Sequence, residues 1–306
     1  MKISIIGAGN VGGLTALRLA QENLGEIVLV DIAPGLAKGK ILDLADARAL
    51  VKSDYHIFGS EDFSQIKGSD IVINTAGLPR KPGMTREDLL YKNSRILKDV
   101  CLKIKAYAPE AILIVVTNPL DLMARYALKA TAFKAHKVIG MGISLDSARF
   151  TNLIAEELKL SPLDIDACVI GVHGEGMLPL PRLTTVKGES LEKFLDQEKI
   201  ADLIKRTIGR GLEIVTLLGS GSAYFAPSAA IAEIVRAIAK DEKSLICISA
   251  YLDGQYGLND IFLGVPCRLG RSGIEEVIEL KLEEKEKQLF LESASRLKSQ
   301  FSGLAA

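Results

Sequence analysis

The sequence predicts an α/β fold, in which an N-terminal unit with a parallel sheet spans residues 1–142 and an α+β unit follows over 143–306. Three observations lead there. The 306 residues are too many for one small core and about right for two domains. In the first half, short apolar runs alternate with stretches of helical periodicity. Near Gly142 that alternation stops.

The elements follow in order. "KISIIG" reads as a strand and leads into a helix from Val11 to Asn23. "EIVLVD" is the second strand, before a helix over Ala37–Ala49. "DIVINTAG" is the third, followed by a loop broken by proline and glycine and a helix over Asn93–Tyr107. "AILIVVTNP" precedes a helix over Leu120–Leu128, and "HKVIGMG" closes the series. These runs are continuously apolar rather than alternating, as in parallel strands covered on both faces. The second half reads as a helix over Asp146–Leu158, a strand over Ile165–Gly171, a proline-rich "GMLPLPRL", and helices over Lys193–Leu218 and Ser228–Ala239. The strands "SLICISAYL" and "DIFLGVPCRL" come next, and a charged amphipathic helix over Glu283–Gln300 ends the series. The faces of "LTALRLA" and "SAAIAEIVRAIA" suit either core packing or a subunit interface.

Composition removes several function classes. Lys+Arg equals Asp+Glu at 38 each, so net charge offers nothing to nucleic acid or an anionic membrane, and any electropositive site must be local. Tryptophan is absent and aromatics make up 5%, which disfavours stacking platforms for single strands. No secretory signal pattern precedes the first strand, and no apolar run approaches the length of a membrane span. The four cysteines, Cys101, Cys168, Cys247 and Cys267, show no CxxC pair, so free thiols in a reducing cytoplasm are expected, with no metal site.

"GAGNVG" places Gly7, Gly9 and Gly12 in a G-x-G-x-x-G register between a strand and a helix. That context makes it a phosphate-binding turn, and Gly7, Ala8, Gly9, Asn10, Val11 and Gly12 are candidate cofactor contacts in a Rossmann unit. The second strand ends on Asp31, about twenty residues beyond the last glycine, where a carboxylate accepts hydrogen bonds from both ribose hydroxyls of an adenosine. It would repel a 2′-phosphate, and the next residue is Ile32 rather than a base, so NAD is expected over NADP. The competing reading of Asp31 is a cap on the following helix.

A second constellation lies in the other half. In "SLDSARF", Asp146 and Arg149 are i and i+3 on a helix and share a face. In "GVHGEG", His173 stands between glycines that keep the backbone open to a ligand. Beside His173, an aspartate would fix its tautomer, and an arginine would grip a carboxylate with two parallel bonds. The structural alternatives are a turn histidine and a surface salt bridge. His56 and His136 read as ordinary surface or packing residues. Asn118, in "VVTNPLD", sits at the carboxyl end of a strand, where ligands bind in parallel sheets, and it could also cap the next helix. "TAGLPRKPGMTRED" carries Arg80 and Arg86 on the loop beside a buried strand.

GAGNVG, Asp31, RKPGMTR, TNP, LDSAR and GVHGEG occur in the order that resembles the lactate/malate dehydrogenase superfamily, and its lactate-dehydrogenase-like malate dehydrogenases in particular, over essentially the whole chain. The resemblance implies reversible hydride transfer between (S)-malate and NAD, a place in the tricarboxylic acid cycle, and a homotetramer or dimer. It implies that His173 donates and accepts the proton, that Asp146 orients it, and that Arg149 binds the C1 carboxylate. Asn118 would hold the substrate oxygen and line the nicotinamide side, and Asn93, Val116 and Thr117 would contact the cofactor. The segment around residues 75–88 would close over the substrate, with Arg86 polarising the carbonyl and Arg80 reading the distal end. Facing pyruvate, Arg80 would be desolvated and unpaired at a cost of roughly 3 kcal/mol, about a hundredfold in preference. The alternatives are a lactate dehydrogenase, an NAD- and metal-dependent glycosidase using Cys168 and His173, and a binding protein that kept the fold without catalysis.

Overall fold

The strands of the first half are mostly apolar and mostly buried, as in a sheet covered on both faces. The computed structural model describes residues 1–78 and 86–301. They cluster into two compact units, one made of residues 1–141, 223–244 and 268–276, the other of 142–222, 245–267 and 277–306.

The first unit alternates β1 (Lys2–Ile6), α1 (Asn10–Gln21), β2 (Glu26–Val30), α2 (Leu36–Val51), β3 (Ile57–Ser60), β4 (Ile71–Asn74), α3 (Arg86–Tyr107), β5 (Ile112–Val115), α4 (Leu120–Thr131) and β6 (Val138–Gly140). Its strands pair in parallel in the order β3-β2-β1-β4-β5-β6. The chain reverses direction across the sheet beside β1, so the turns after β1 and β4 lie next to each other at the carboxyl edge. Ligands of open α/β sheets bind at that kind of point. Ile3, Ile5, Ile71, Ile73, Leu113 and Ile114 are fully buried. Helix α3 starts at Arg86 rather than the expected Asn93, because its polar opening, "REDLLYK", carries little apolar signal.

The second unit holds α5 (Ile143–Leu158), β7 (Ile165–Asp166), β8 (Val169–Gly171), β9 (Met177–Pro179), β10 (Thr185–Val186), β11 (Glu189–Ser190) and α6 (Gln197–Leu218). The chain then gives α7 (Phe225–Ala239) to the first unit before β12 (Ser244–Asp253), β13 (Asn259–Gly270), β14 (Gly273–Val277) and α8 (Glu284–Phe301). The single strand expected over Ile165–Gly171 is two strands that join different sheets. β7 pairs with β10, whereas β8 lies between β9 and β13. The core of this unit packs Phe150, Leu153 and Ile154 of α5 against Val169, Ile200 and Leu203.

Helices α1 and α7, whose faces suited either an interface or a core, pack against each other. Arg18 Nε donates to Ser228 Oγ at 2.9 Å, and Leu19, Ile231 and Ile234 are fully buried. Besides Phe225 at the start of α7, most exposed apolar side chains lie elsewhere. They include Leu42, Leu50 and Val51 of α2, and Leu212, Leu217 and Leu218 of α6. No helix among the described residues is long and apolar enough to cross a membrane.

In the second unit Tyr256 ties the β12–β13 connection to the segment leading into α8. Its hydroxyl donates to Ile278 O and accepts from Leu280 N–H, both at 2.9 Å, and its ring packs on Phe290 at 5.0 Å. Burial pushes this phenol from its ordinary value near 10 up to about 12, against the Leu280 bond, which lowers it. A raised folded-state pKa stabilises the fold fully below the unfolded value and loses that contribution as pH climbs through the folded one. Stability to urea should therefore fall between about pH 10 and pH 12. Tyr256→Phe should flatten that fall, and an unchanged slope would count against it.

Candidate active site

In the first unit the sequence motif folds into a phosphate cradle. Gly7 adopts φ +100°, and a Cβ on Gly12 would lie 1.9 Å from the Gly7 carbonyl oxygen, so the turn and the strand–helix approach both demand glycine. A Cβ on Gly9 would meet nothing within 4 Å, which leaves an open face toward which a pyrophosphate can come. Gly9 is the N-cap of α1 and offers no side-chain cap, so the first-turn N–H groups remain for an anion. Ala8 is buried, Asn10 exposed and Val11 half-buried. Asp31 does not cap α2, whose N-cap is Gly35. Its Oδ2 accepts from Ala8 N–H at 2.6 Å and its Oδ1 from Ala33 N–H at 2.8 Å. The carboxylate thereby stitches the glycine turn to the end of β2 and keeps lone pairs for a ribose. This arrangement fits an adenine dinucleotide.

Thr75, which the sequence reading missed, holds the turn from the neighbouring strand. Its hydroxyl lies 3.0 Å from Gly7 O and 3.1 Å from Ile6 O. A threonine directly after a strand that pairs with β1 was the available signal. Thr117 Oγ1 accepts from Asn74 Nδ2 at 3.0 Å and donates to Ala76 O at 2.6 Å. Val116 is half-buried and Asn118 exposed. The cap on α4 is Pro119, without a side-chain bond, so Asn118 does not serve as the helix cap. Asn93 is 1% exposed and its amide is spent internally. Oδ1 accepts from Leu78 N–H at 2.8 Å, and Nδ2 donates to Leu78 O at 3.2 Å and to Asn118 O at 2.7 Å. It fixes the Asn118 backbone. Arg86 is the first residue of α3, and its side chain and Arg80 lie outside the described residues.

In the second unit three residues expected to act together meet. Asp146 lies in the first turn of α5, where a helix N-terminus favours an acid. Its side chain is fully buried, and both oxygens are engaged. Oδ2 lies 2.7 Å from His173 Nδ1, and Oδ1 accepts from Arg149 Nη1 at 3.1 Å. Arg149 and His173 are themselves only 13% and 16% exposed, so this is no solvated surface bridge. A carboxylate without protons can only accept, so His173 donates from Nδ1 and Nε2 is the nitrogen able to exchange a proton. His173 rides the turn between β8 and β9, where Gly171 and Gly174 both take φ +92°. Gly211 of α6 faces the Arg149 guanidinium, with a Cβ position 3.6 Å from Nη1, so the arginine has a wall without a side chain. Among the described residues no three His, Cys, Asp or Glu converge as metal ligands would.

One unit thus carries a turn that fits a dinucleotide, and the other holds an imidazole and an arginine on one buried carboxylate. A protein built this way is an NAD-dependent oxidoreductase. The family model for the lactate/malate dehydrogenase NAD binding domain matches residues 1–140, and that for the α/β C-terminal domain matches residues 143–306. The chain belongs to the lactate/malate dehydrogenase family. It is 50% identical over 303 residues to a Methanosarcina barkeri protein named malate dehydrogenase, with 99% of each chain covered. Its structure is similar to that of Cryptosporidium parvum malate dehydrogenase, with TM-score 0.97, 42% identity, and 99% of this chain and 98% of that one covered. It is also similar to Cryptosporidium parvum lactate dehydrogenase complexed with lactic acid and NAD, with TM-score 0.96, 37% identity, and 99% and 97% covered.

Proposed function

We propose that this chain interconverts (S)-malate and oxaloacetate with NAD as cofactor, residues 1–142 forming the NAD-binding domain and 143–306 the substrate domain. The observation that carries the reading is the buried Asp146 carboxylate holding His173 and Arg149 side by side. Full-length similarity to a protein named malate dehydrogenase supports it.

NAD, when bound, supplies the hydride donor or acceptor. Gly7, Ala8, Gly9, Asn10, Val11 and Gly12 hold its phosphates, Asp31 holds the adenosine ribose, and Val116, Thr117 and Asn118 line the nicotinamide side. Asn93 acts through the Asn118 backbone that it fixes. Arg149 pairs with the C1 carboxylate of the substrate, and Arg80 with the distal one. Arg86 and Asn118 meet the reacting oxygen and stabilise the charge that grows there. In the reducing direction His173 gives that oxygen its Nε2 proton, and in the oxidising direction takes it back. Asp146 keeps Nδ1 protonated and the ring in place throughout.

The exposed leucines of α2 and α6 support assembly of copies of the chain, and a homotetramer is the proposed state. A cytoplasmic setting and a step of the tricarboxylic acid cycle complete the reading. The test is the initial rate of NADH oxidation with oxaloacetate and with pyruvate at matched concentrations. A strong preference for oxaloacetate is expected. A preference for pyruvate would keep the chemistry and overturn the substrate, and no rate with either would overturn the function.

A further inference from the structure

The glycine turn has a second support that none of its motif residues provides. Lys40, on α2, reaches back to β1's turn, and its Nζ donates to Gly9 O at 3.1 Å. The same carbonyl accepts the first intrahelical bond of α1, from Gly13 N–H at 2.9 Å. The end of the Lys40 side chain lies along Gly13, where a Cβ would stand 3.1 Å from Nζ and 3.2 Å from Cδ. Gly13 falls outside the G-x-G-x-x-G register, and its lack of a side chain is explained by the lysine that passes over it. Lys40 is half-buried and has no ion pair among the described residues, whereas Lys38 on the same helix lies 4.0 Å from Glu61.

The charge arithmetic gives this lysine a purpose. The first turn of α1, Asn10 to Gly13, holds neither acid nor base. The one ionised side chain bonded to the turn from β2 is Asp31, which is negative. A dinucleotide brings two further negative charges on its pyrophosphate. Partial charge at a helix end offsets only part of such a load. Among the described residues Lys40 is the one cation bonded to the turn. The bond also engages the Gly9 carbonyl from outside α1, as the Thr75 hydroxyl engages that of Gly7.

We propose that Lys40 is a positioning residue for the cofactor pyrophosphate, bracing the turn through the Gly9 carbonyl and supplying the positive charge that the turn lacks. The proposal rests on the NAD reading of this cradle.

Three variants separate the charge from the brace. Lys40→Arg keeps both, Lys40→Gln keeps a donor for Gly9 O without the charge, and Lys40→Met keeps neither. Dissociation constants of NADH, ADP and adenosine are measured by calorimetry or competition over a series of sodium chloride concentrations, and circular dichroism confirms the fold of each variant. Lys40→Gln and Lys40→Met should weaken NADH and ADP by about tenfold, the size of one charge-assisted contact. Both should flatten the salt dependence, since a screened charge has been removed. Adenosine should bind as before, and Lys40→Arg should restore the parent behaviour. Unchanged NADH and ADP affinity in Lys40→Gln and Lys40→Met would overturn the proposal. So would an equal loss for adenosine, which would make Lys40 a brace of the turn with no phosphate part. A parent that failed to bind NADH would overturn the cofactor reading together with it, an outcome told apart by the parent measurement.

Discussion

His173→Asn is expected to lower kcat by about a thousandfold, within the usual span for general acid–base catalysis, while NADH affinity stays near the parent value. The substitution is chosen for its effect on Asp146. That carboxylate is fully buried and shared between His173 Nδ1 at 2.7 Å and Arg149 Nη1 at 3.1 Å. An asparagine amide can donate to Oδ2 much as the imidazole does, so the buried charge keeps two partners. Alanine at 173 would leave it with Arg149 as the one remaining partner among these two, and breaking a buried pair costs about 3–5 kcal/mol. A fall in activity would then mix lost chemistry with lost folding. NADH binding is spared because the glycine turn and Asp31 belong to the other unit. Steady-state rates and a fluorescence titration of NADH make the comparison. Turnover near the parent rate would remove His173 from the mechanism.

Arg80→Gln is expected to shift the ratio of kcat/KM for oxaloacetate over pyruvate by about a hundredfold toward pyruvate. Oxaloacetate presents a second carboxylate where pyruvate has a methyl group. In the proposed reading Arg80 would pair with the distal carboxylate of oxaloacetate and be left without a partner by the methyl group of pyruvate, and glutamine removes both the gain and the penalty. Because the effect concerns the distal end of the substrate, the proton step at His173 should be untouched and the change should fall mostly on KM for oxaloacetate. A variant that kept the parent preference would place the selector elsewhere in the chain.

Much of the architecture was legible because its signals are local. Continuous apolar runs such as "IVINTAG" and "AILIVV" need covering on both faces, and β4 and β5 are buried at every residue. The glycines of the phosphate turn were legible for the same reason, since a Cβ at Gly12 would collide with the chain five residues earlier. Short elements escaped. β7, β10 and β11 have two residues each, too few for any period to show. The division of Ile165–Gly171 between two sheets depends on partners distant in sequence, as does the return of α7 to the first unit. Two alternatives that the sequence left open fall away for a similar reason. Asp31 and Asn118 precede helices and looked able to cap them, but Gly35 and Pro119 occupy those positions.

What the sequence by itself determined is the fold class, the glycine turn, and the candidates for acid–base chemistry, because each rests on residue type within a few positions of spacing. Whether Asp146 and Arg149 formed a solvated surface pair or a buried set with His173 was left to the tertiary structure, and so were the supports of the turn, Thr75 and Lys40. Burial and long-range hydrogen bonds decide those matters. His173 comes to Asp146 across 27 residues, and Thr75 to Gly7 across 68, and no local pattern encodes where two such segments meet.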